Sequence, residues 1–186
     1  MSDTPSNMLP LGTIAPDFNL LNSISDKYQE LQSLKGDKGT VIMFICNHCP
    51  FVIHVNPAIV PMAKTYQKKG IGFIAISSND VEKYPQDAPH LMKQLALDQS
   101  YTFPYLYDET QEVAKAYNAA CTPDFYLFDK NLKLVYRGQL DDSRPGNSLP
   151  LTGNDLRNAI EAILNKEKIN QHQKPSIGCS IKWANN

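Results

Sequence analysis

Two cysteines stand three positions apart, Cys46 and Cys49, at the end of the apolar run Val41-Ile42-Met43-Phe44-Ile45 and just before Pro50. A cysteine does redox or nucleophilic chemistry as the thiolate. A helix N-terminus favours that form through unpaired N–H groups and the positive end of its dipole. Strand, dithiol, helix is therefore the order that makes a C-x-x-C reactive. Two thiols at this spacing close a disulfide with little backbone change, one attacking and the other resolving the mixed disulfide. Cys46 is expected as the attacker in an exchange reaction and Cys49 as the resolver. His48, between them, offers an imidazole that stabilises a thiolate.

A second stretch supports this chemistry. In Ala120-Cys121-Thr122-Pro123-Asp124-Phe125, the Thr122-Pro123 pair introduces another strand. A cis peptide there would set an extended edge beside the cysteines. Cys121 and Cys179 are accessory thiols in this scheme. Cys121 is expected to be a small buried residue. Cys179 is expected in a tail packed down by Ile177, Ile181 and Trp183, with a resolving role as the alternative.

Two other chemistries compete. Cys49-Pro50 suits a thiol peroxidase in which Cys49 becomes the sulfenic acid and Cys46 condenses with it. Cys46, His48 and Cys49 also form a thiolate and imidazole set for Cu(I) or Zn²⁺. No second ligand pair is visible, so neither a metal nor another cofactor is expected. Substrates are expected to be thiols or disulfides, with peroxide as the alternative and the reductant open.

The elements that must position these residues are legible from periodicity. Phe18 and Leu20 alternate with polar neighbours, and Lys27 to Leu31 reads as the return arm of an N-terminal hairpin. Thr40 to Ile45 and Ile71 to Ser77 are continuous apolar runs suited to strands buried on both faces. Pro50 to Lys69 carries Phe51, Val52, Val55, Ile59, Met62 and Tyr66 at helical spacing, with a kink expected near Pro57. Asn79 and Asp80 follow the second buried strand and are expected to cap a loop. Helices are also expected over Asp87 to Asp98, Gln111 to Tyr117 and Thr152 to Lys168, the last opened by Thr152 with Asp155. Asp124 to Phe128 and Leu132 to Tyr136 read as a hairpin. Met1 to Leu11 is expected to be a loose arm.

This order predicts an α/β fold with a central mixed sheet covered by helices on both faces. One domain is expected over residues 1–186, with its core at about 11–168 and a tail at 169–186. The 186 residues carry a formal net charge of −1, with 42% apolar and 20% charged residues. Neither a nucleic-acid surface nor a membrane partner is indicated. No apolar stretch approaches the ~20 residues of a membrane span, and no signal segment is visible, so a cytoplasmic setting is expected. Four cysteines are too few for a disulfide framework in such a chain.

The marks Gly12-Thr13-Ile14-Ala15-Pro16-Asp17-Phe18, Phe44 to Val52 and Cys121 to Asp129 resemble the thioredoxin superfamily. The chain looks most like the branch related to peroxiredoxins, the alkyl hydroperoxide reductase and thiol-specific antioxidant group. Ser176 to Trp183 is similar to the ending of a peroxiredoxin-like subgroup. The resemblance implies a thioredoxin-like core of four or five strands with an N-terminal hairpin, a cis-proline at Pro123 and an antioxidant thiol activity. It also brings departures. Cys46 stands where a peroxiredoxin has threonine, Ile42 where it has proline, and Pro123 where it has arginine. Ile45 and Met43 replace the tryptophan and the buried acid of thioredoxins.

Overall fold

The computed structural model describes residues 3–185. In chain order the strands and helices are β1 (Thr4–Pro5), β2 (Asn19–Asn22), β3 (Lys27–Glu30), α1 (Leu31–Leu34), β4 (Gly39–Phe44), α2 (Pro50–Gln67) and β5 (Ile71–Ser77). They continue with α3 (Pro89–Asp98), β6 (Tyr105–Tyr107), α4 (Glu112–Ala116), β7 (Cys121–Thr122), β8 (Asp124–Asp129), β9 (Leu134–Gly138), α5 (Asn154–Leu164) and β10 (Ile177–Ser180).

The main sheet has seven strands in the order β3-β2-β6-β5-β4-β8-β9. β4 pairs parallel with β5 and antiparallel with β8, which makes it the middle of the five-stranded core. The predicted N-terminal hairpin extends that core by pairing β2 antiparallel to β6. All six residues of β4 are buried, as its unbroken apolar run requires. Its side chains alternate between two cores. Val41, Met43 and Ile45 face α2 and α5 with Val52, Ile59 and Leu156. Ile42 and Phe44 face the other layer with Tyr117, Tyr126 and Phe128. Burying each such side chain is worth about 1.5–3 kcal/mol, so the end of β4, where the cysteines sit, is anchored from both faces.

α2 runs without interruption from Pro50 to Gln67, through both Pro57 and Pro61. Each proline removes one N–H from the helical ladder. The burial of Val52, Val55, Ile59, Met62 and Tyr66 along one face offsets that loss. At α5 the expected Thr152–Asp155 cap is replaced. Asp141 reaches in from the preceding loop and accepts the N–H groups of Thr152 and Gly153, both at 2.6 Å. Asp155 instead accepts the amide of Gln139.

The two chain ends differ most from the sequence reading. From Thr4 onward the N-terminal arm is docked, not loose. β1 pairs with β10, the Ser6 N–H donates to the Ser176 carbonyl, and Leu9 is buried. Residues 1 and 2 lie outside the described residues. The C-terminal tail forms the middle strand of a second sheet, β1-β10-β7. Trp183 does not pack it down, being 39% exposed. Ile181 is buried in the core as expected, and backbone pairing and two amide side chains hold the rest. Asn79 Oδ1 accepts the Lys182 N–H, and Gln111 bonds the Lys182 carbonyl and the Ala184 N–H. Among the described residues no helix is long and apolar enough to cross a membrane.

Candidate active site

β4 ends at Phe44, and α2 begins at Pro50 with Cys49 as its N-cap residue. Pro50 suits the first helical position because its missing N–H would have had no partner there. The turn Ile45 to Cys49 thus carries Cys46 and Cys49 to the mouth of the helix, where unpaired N–H groups converge. Both sulfurs are buried, and all four cysteines are free thiols.

Thr122 meets both members of the pair. Its hydroxyl lies 3.5 Å from the Cys46 sulfur, and its carbonyl lies 3.2 Å from the Cys49 sulfur. The Thr122–Pro123 peptide is cis, as expected. Pro123 opens β8, which pairs with β4 and so fixes this edge against the dithiol.

The two thiols hold their protons unequally. Cys49 is lowered to about 5, first because the Cys46 thiol donates to its sulfur. The thiol of Cys179 and the backbone N–H groups of Val52 and Cys179 act in the same direction. Burial and the Thr122 carbonyl, which accepts only from a protonated thiol, oppose this. The donors outweigh them. Cys46 is pushed well up, by donating to Cys49, by burial and by the nearby Asp87 carboxylate.

Asp87 is the site residue that the sequence reading missed. It lies in a single helical turn, Pro85–Asp87, ahead of α3, and not at the start of that helix. Its side chain is fully buried under the C-x-x-C turn. Oδ1 accepts the Asn47 N–H at 2.8 Å, and Oδ2 accepts His48 Nδ1–H at 2.6 Å and Asn79 Nδ2–H at 2.8 Å. A polar residue after Pro85, in the loop following a buried parallel strand, was the available signal. The His48 ring also stacks on Tyr84, with centroids 5.5 Å apart. Asn79 bridges Asp87 to the C-terminal tail, which is more than loop capping.

Cys46, a ring nitrogen of His48 and an Asp87 oxygen lie within 4.8 Å of one another. Asp87 replaces Cys49 in the set considered from sequence. Three donors already occupy its oxygens, and one of them is His48 itself, so this cluster is organised as a hydrogen-bond network more than as a ligand shell.

The two accessory thiols separate. Cys121 packs on the strand side, with its sulfur 3.9 Å from the Pro123 carbonyl. Burial, then Asp124, pushes its thiol far up. Cys179 lies directly across the strand pair from Thr122 and belongs with the dithiol. None of the three arginines bonds a cysteine. Arg137 bonds Leu9 and Gln173, Arg144 bonds the 139–143 loop, and Arg157 bonds Thr152.

The AhpC/TSA family profile matches residues 11–137. A crystal structure of an uncharacterized conserved protein from Geobacillus kaustophilus is 58% identical, with a TM-score of 0.98 over 100% of this chain and 98% of that one. Thiol-disulfide oxidoreductase ResA of Geobacillus thermodenitrificans is 26% identical over 135 residues, 70% of each chain. The thioredoxin domain of a Bacteroides vulgatus thiol-disulfide oxidoreductase is 19% identical, with a TM-score of 0.64 over 84% of this chain and 99% of that domain. That last likeness concerns the fold, which is thioredoxin-like.

Proposed function

The chain belongs to the AhpC/TSA family and is an oxidoreductase of thiols or disulfides, and from that premise we propose that its working group is the Cys46–Cys49 dithiol, with Cys49 as the attacking thiolate. The observation that carries this reading is the position of Cys49 as the N-cap residue of α2, where unpaired N–H groups converge and favour its thiolate, in the direction its lowered pKa also takes. This reading assigns the two roles the other way round from the sequence expectation, in which Cys46 attacks and Cys49 resolves. Cys49 attacks a disulfide and forms a mixed disulfide, and Cys46 displaces the bound half as a thiol. The result is a Cys46–Cys49 disulfide and a reduced substrate. The hydrogen bonds of Asp87 to Asn47 and His48 fix the turn that holds the two sulfurs in register.

Peroxide reduction is the weaker reading. A Cys-Pro at a helix start with a lowered thiol favours it, but the arginines are engaged elsewhere and Thr122 faces Cys46, not a peroxide bound at Cys49. An antioxidant role would then run through disulfide exchange. The cytoplasmic setting expected from the sequence is part of the same proposal.

The test is rapid mixing of the reduced protein with a model disulfide, followed by mass spectrometry. Trapped adducts are expected on Cys49 in the Cys46→Ser protein and none on Cys46 in the Cys49→Ser protein. Adducts on Cys46 alone would return the attacking role to that residue.

A further inference from the structure

Three residues beyond Cys179 the chain reaches Lys182, whose backbone is tied down at both polar groups. Its N–H donates to Asn79 Oδ1 at 2.9 Å, and its carbonyl accepts the Asp80 N–H and the Gln111 side-chain amide, both at 2.8 Å. Asn79 in turn donates to Asp87, the carboxylate that holds His48. One hydrogen-bonded chain thus runs from the C-x-x-C turn to Lys182. The lysine side chain folds back over β10. Nζ donates to the Ser180 carbonyl at 3.0 Å and lies 5.6 Å from the centre of the Tyr84 ring, within the range of a cation–π contact. The same ring stacks on His48, with the two planes 8° apart. Tyr84 is therefore the shared neighbour of an ammonium and an imidazole, and all three residues are half-buried.

The charge on Lys182 is not met inside the chain. An ammonium carries three N–H donors, and its hydrogen-bond partners here are the neutral oxygens of Ser180. Among the described residues no carboxylate comes within ion-pair distance of it. The Asp80 carboxylate faces Lys83 and the Glu82 N–H instead. The Asp87 oxygens are filled by Asn47, His48 and Asn79. Access to the sulfurs is narrow. Cys46 and Cys49 are both buried, and β10 has taken the backbone edge of Thr122, where an extended polypeptide would add as a strand. The place suits a slender ligand more than a protein chain.

We propose that Lys182 is a specificity residue, selecting a low-molecular-weight disulfide that carries carboxylates, with one carboxylate on Nζ and one sulfur at Cys49. This rests on the exchange reading above. His48 and Tyr84 lie between the ammonium and the dithiol turn, so the carboxylate sits several bonds from the reacting sulfur, as in a peptide-sized thiol, and the Tyr84 ring supports the stem between them. The chemistry is the exchange already described. The two protein thiols are oxidised to the Cys46–Cys49 disulfide, and the small disulfide takes up their two electrons and two protons and leaves as two thiols.

The test compares glutathione disulfide with the disulfide of glutathione diethyl ester, the same molecule with its carboxylates masked. The reduced full chain is mixed with each in a single turnover at low ionic strength, and the two second-order rate constants are taken as a ratio. The parent is expected to favour the free acid. Lys182→Gln should lower the ratio about fivefold, the order of one exposed charge pair, and Lys182→Arg should keep it. An unchanged ratio in Lys182→Gln would overturn the proposal whatever happens to the absolute rates. An equal fall in Lys83→Gln would overturn it too, since that marks the general field of the surface and not a contact at Lys182. Failure of the parent to react with either disulfide would overturn the exchange reading, and the proposal with it. If Lys182→Gln fails to fold, S-methylglutathione decides on the unaltered chain. It is expected to slow the reaction with glutathione disulfide more than its diethyl ester does, and equal effects would refute the proposal.

Discussion

The two sides of the Thr122–Pro123 peptide treat negative charge in opposite ways. On the helix side Cys49 is buried, yet its thiol falls to about 5. On the strand side Cys121 is equally buried, and its thiol is driven far up. Its neighbour Asp124 is pushed up to about 7 by burial, although Ser6 and Tyr126 both donate to its Oδ2. Burial is common to all three groups. Between the two thiols, what differs is the supply of donors. Cys49 sits at the start of α2, where N–H groups lack intrahelical partners, and two further thiols point at it. Asp124 keeps one oxygen without any partner. Desolvation sets the default and directed donors overturn it.

The largest test of this contrast is chemical reactivity. At pH 6 a thiol with a pKa of about 5 is mostly thiolate, whereas one near ~8.5 is thiolate to less than one part in a hundred. Iodoacetamide should therefore label Cys49 about tenfold or more faster than Cys121, once the weaker nucleophilicity of the more acidic thiolate is counted, read peptide by peptide. Equal labelling would erase the distinction between the two sides.

Next in size is the pH dependence of stability on the strand side. Asp124 has a folded pKa of about 7, above the unfolded value of ~3.9. As pH rises the unfolded chain ionises first, so the folded state loses stability between about pH 4 and pH 7 and levels off above. The loss is on the order of a few kcal/mol, and Asp124→Asn should remove it. Urea unfolding at pH 5 and pH 7.5 measures this. Identical pH dependence in variant and parent would show that Asp124 is not the group responsible.

A smaller effect is expected from Gly178→Ala. The added methyl forces β10 off the Thr122 carbonyl at a cost of about 1–3 kcal/mol. Cys49 should then lose the Cys179 donors, and its ultraviolet thiolate absorbance should titrate at higher pH. An unchanged titration would mean that the helix terminus and Cys46 alone hold the charge. The smallest effect belongs to Cys121→Ser, which should change the rate of disulfide reduction less than about twofold, as for substitutions away from the reacting atoms.

Much of this arrangement was legible in the sequence. The apolar run before Cys46, the Pro50 helix start and the Thr122-Pro123 pair placed the dithiol, because hydrophobic periodicity and proline geometry are local signals. What local signals do not carry is the company a side chain keeps across the fold. Asp87 lies 39 positions from His48, and only the folding of its loop beneath the turn brings the two together. The place of Cys179 beside the dithiol stood only as an alternative, since a four-residue strand with two small residues has little periodicity to read. The same shortage hid β1. The choice between Cys46 and Cys49 depends on donors from three separate segments, which no spacing rule encodes.

The pairing of β1 with β10 also has a mechanical meaning. Thr4 lies across from Gly178 and Pro5 across from Ile177, so the outer flanks of the two strands emerge at the same end of the ladder. A pull on those flanks opens the pairs one after another, like a zipper, and does not load them together in shear. Tension applied through the two ends would peel this small sheet first and lift Cys179 from the dithiol, while the seven-stranded sheet still carried the load.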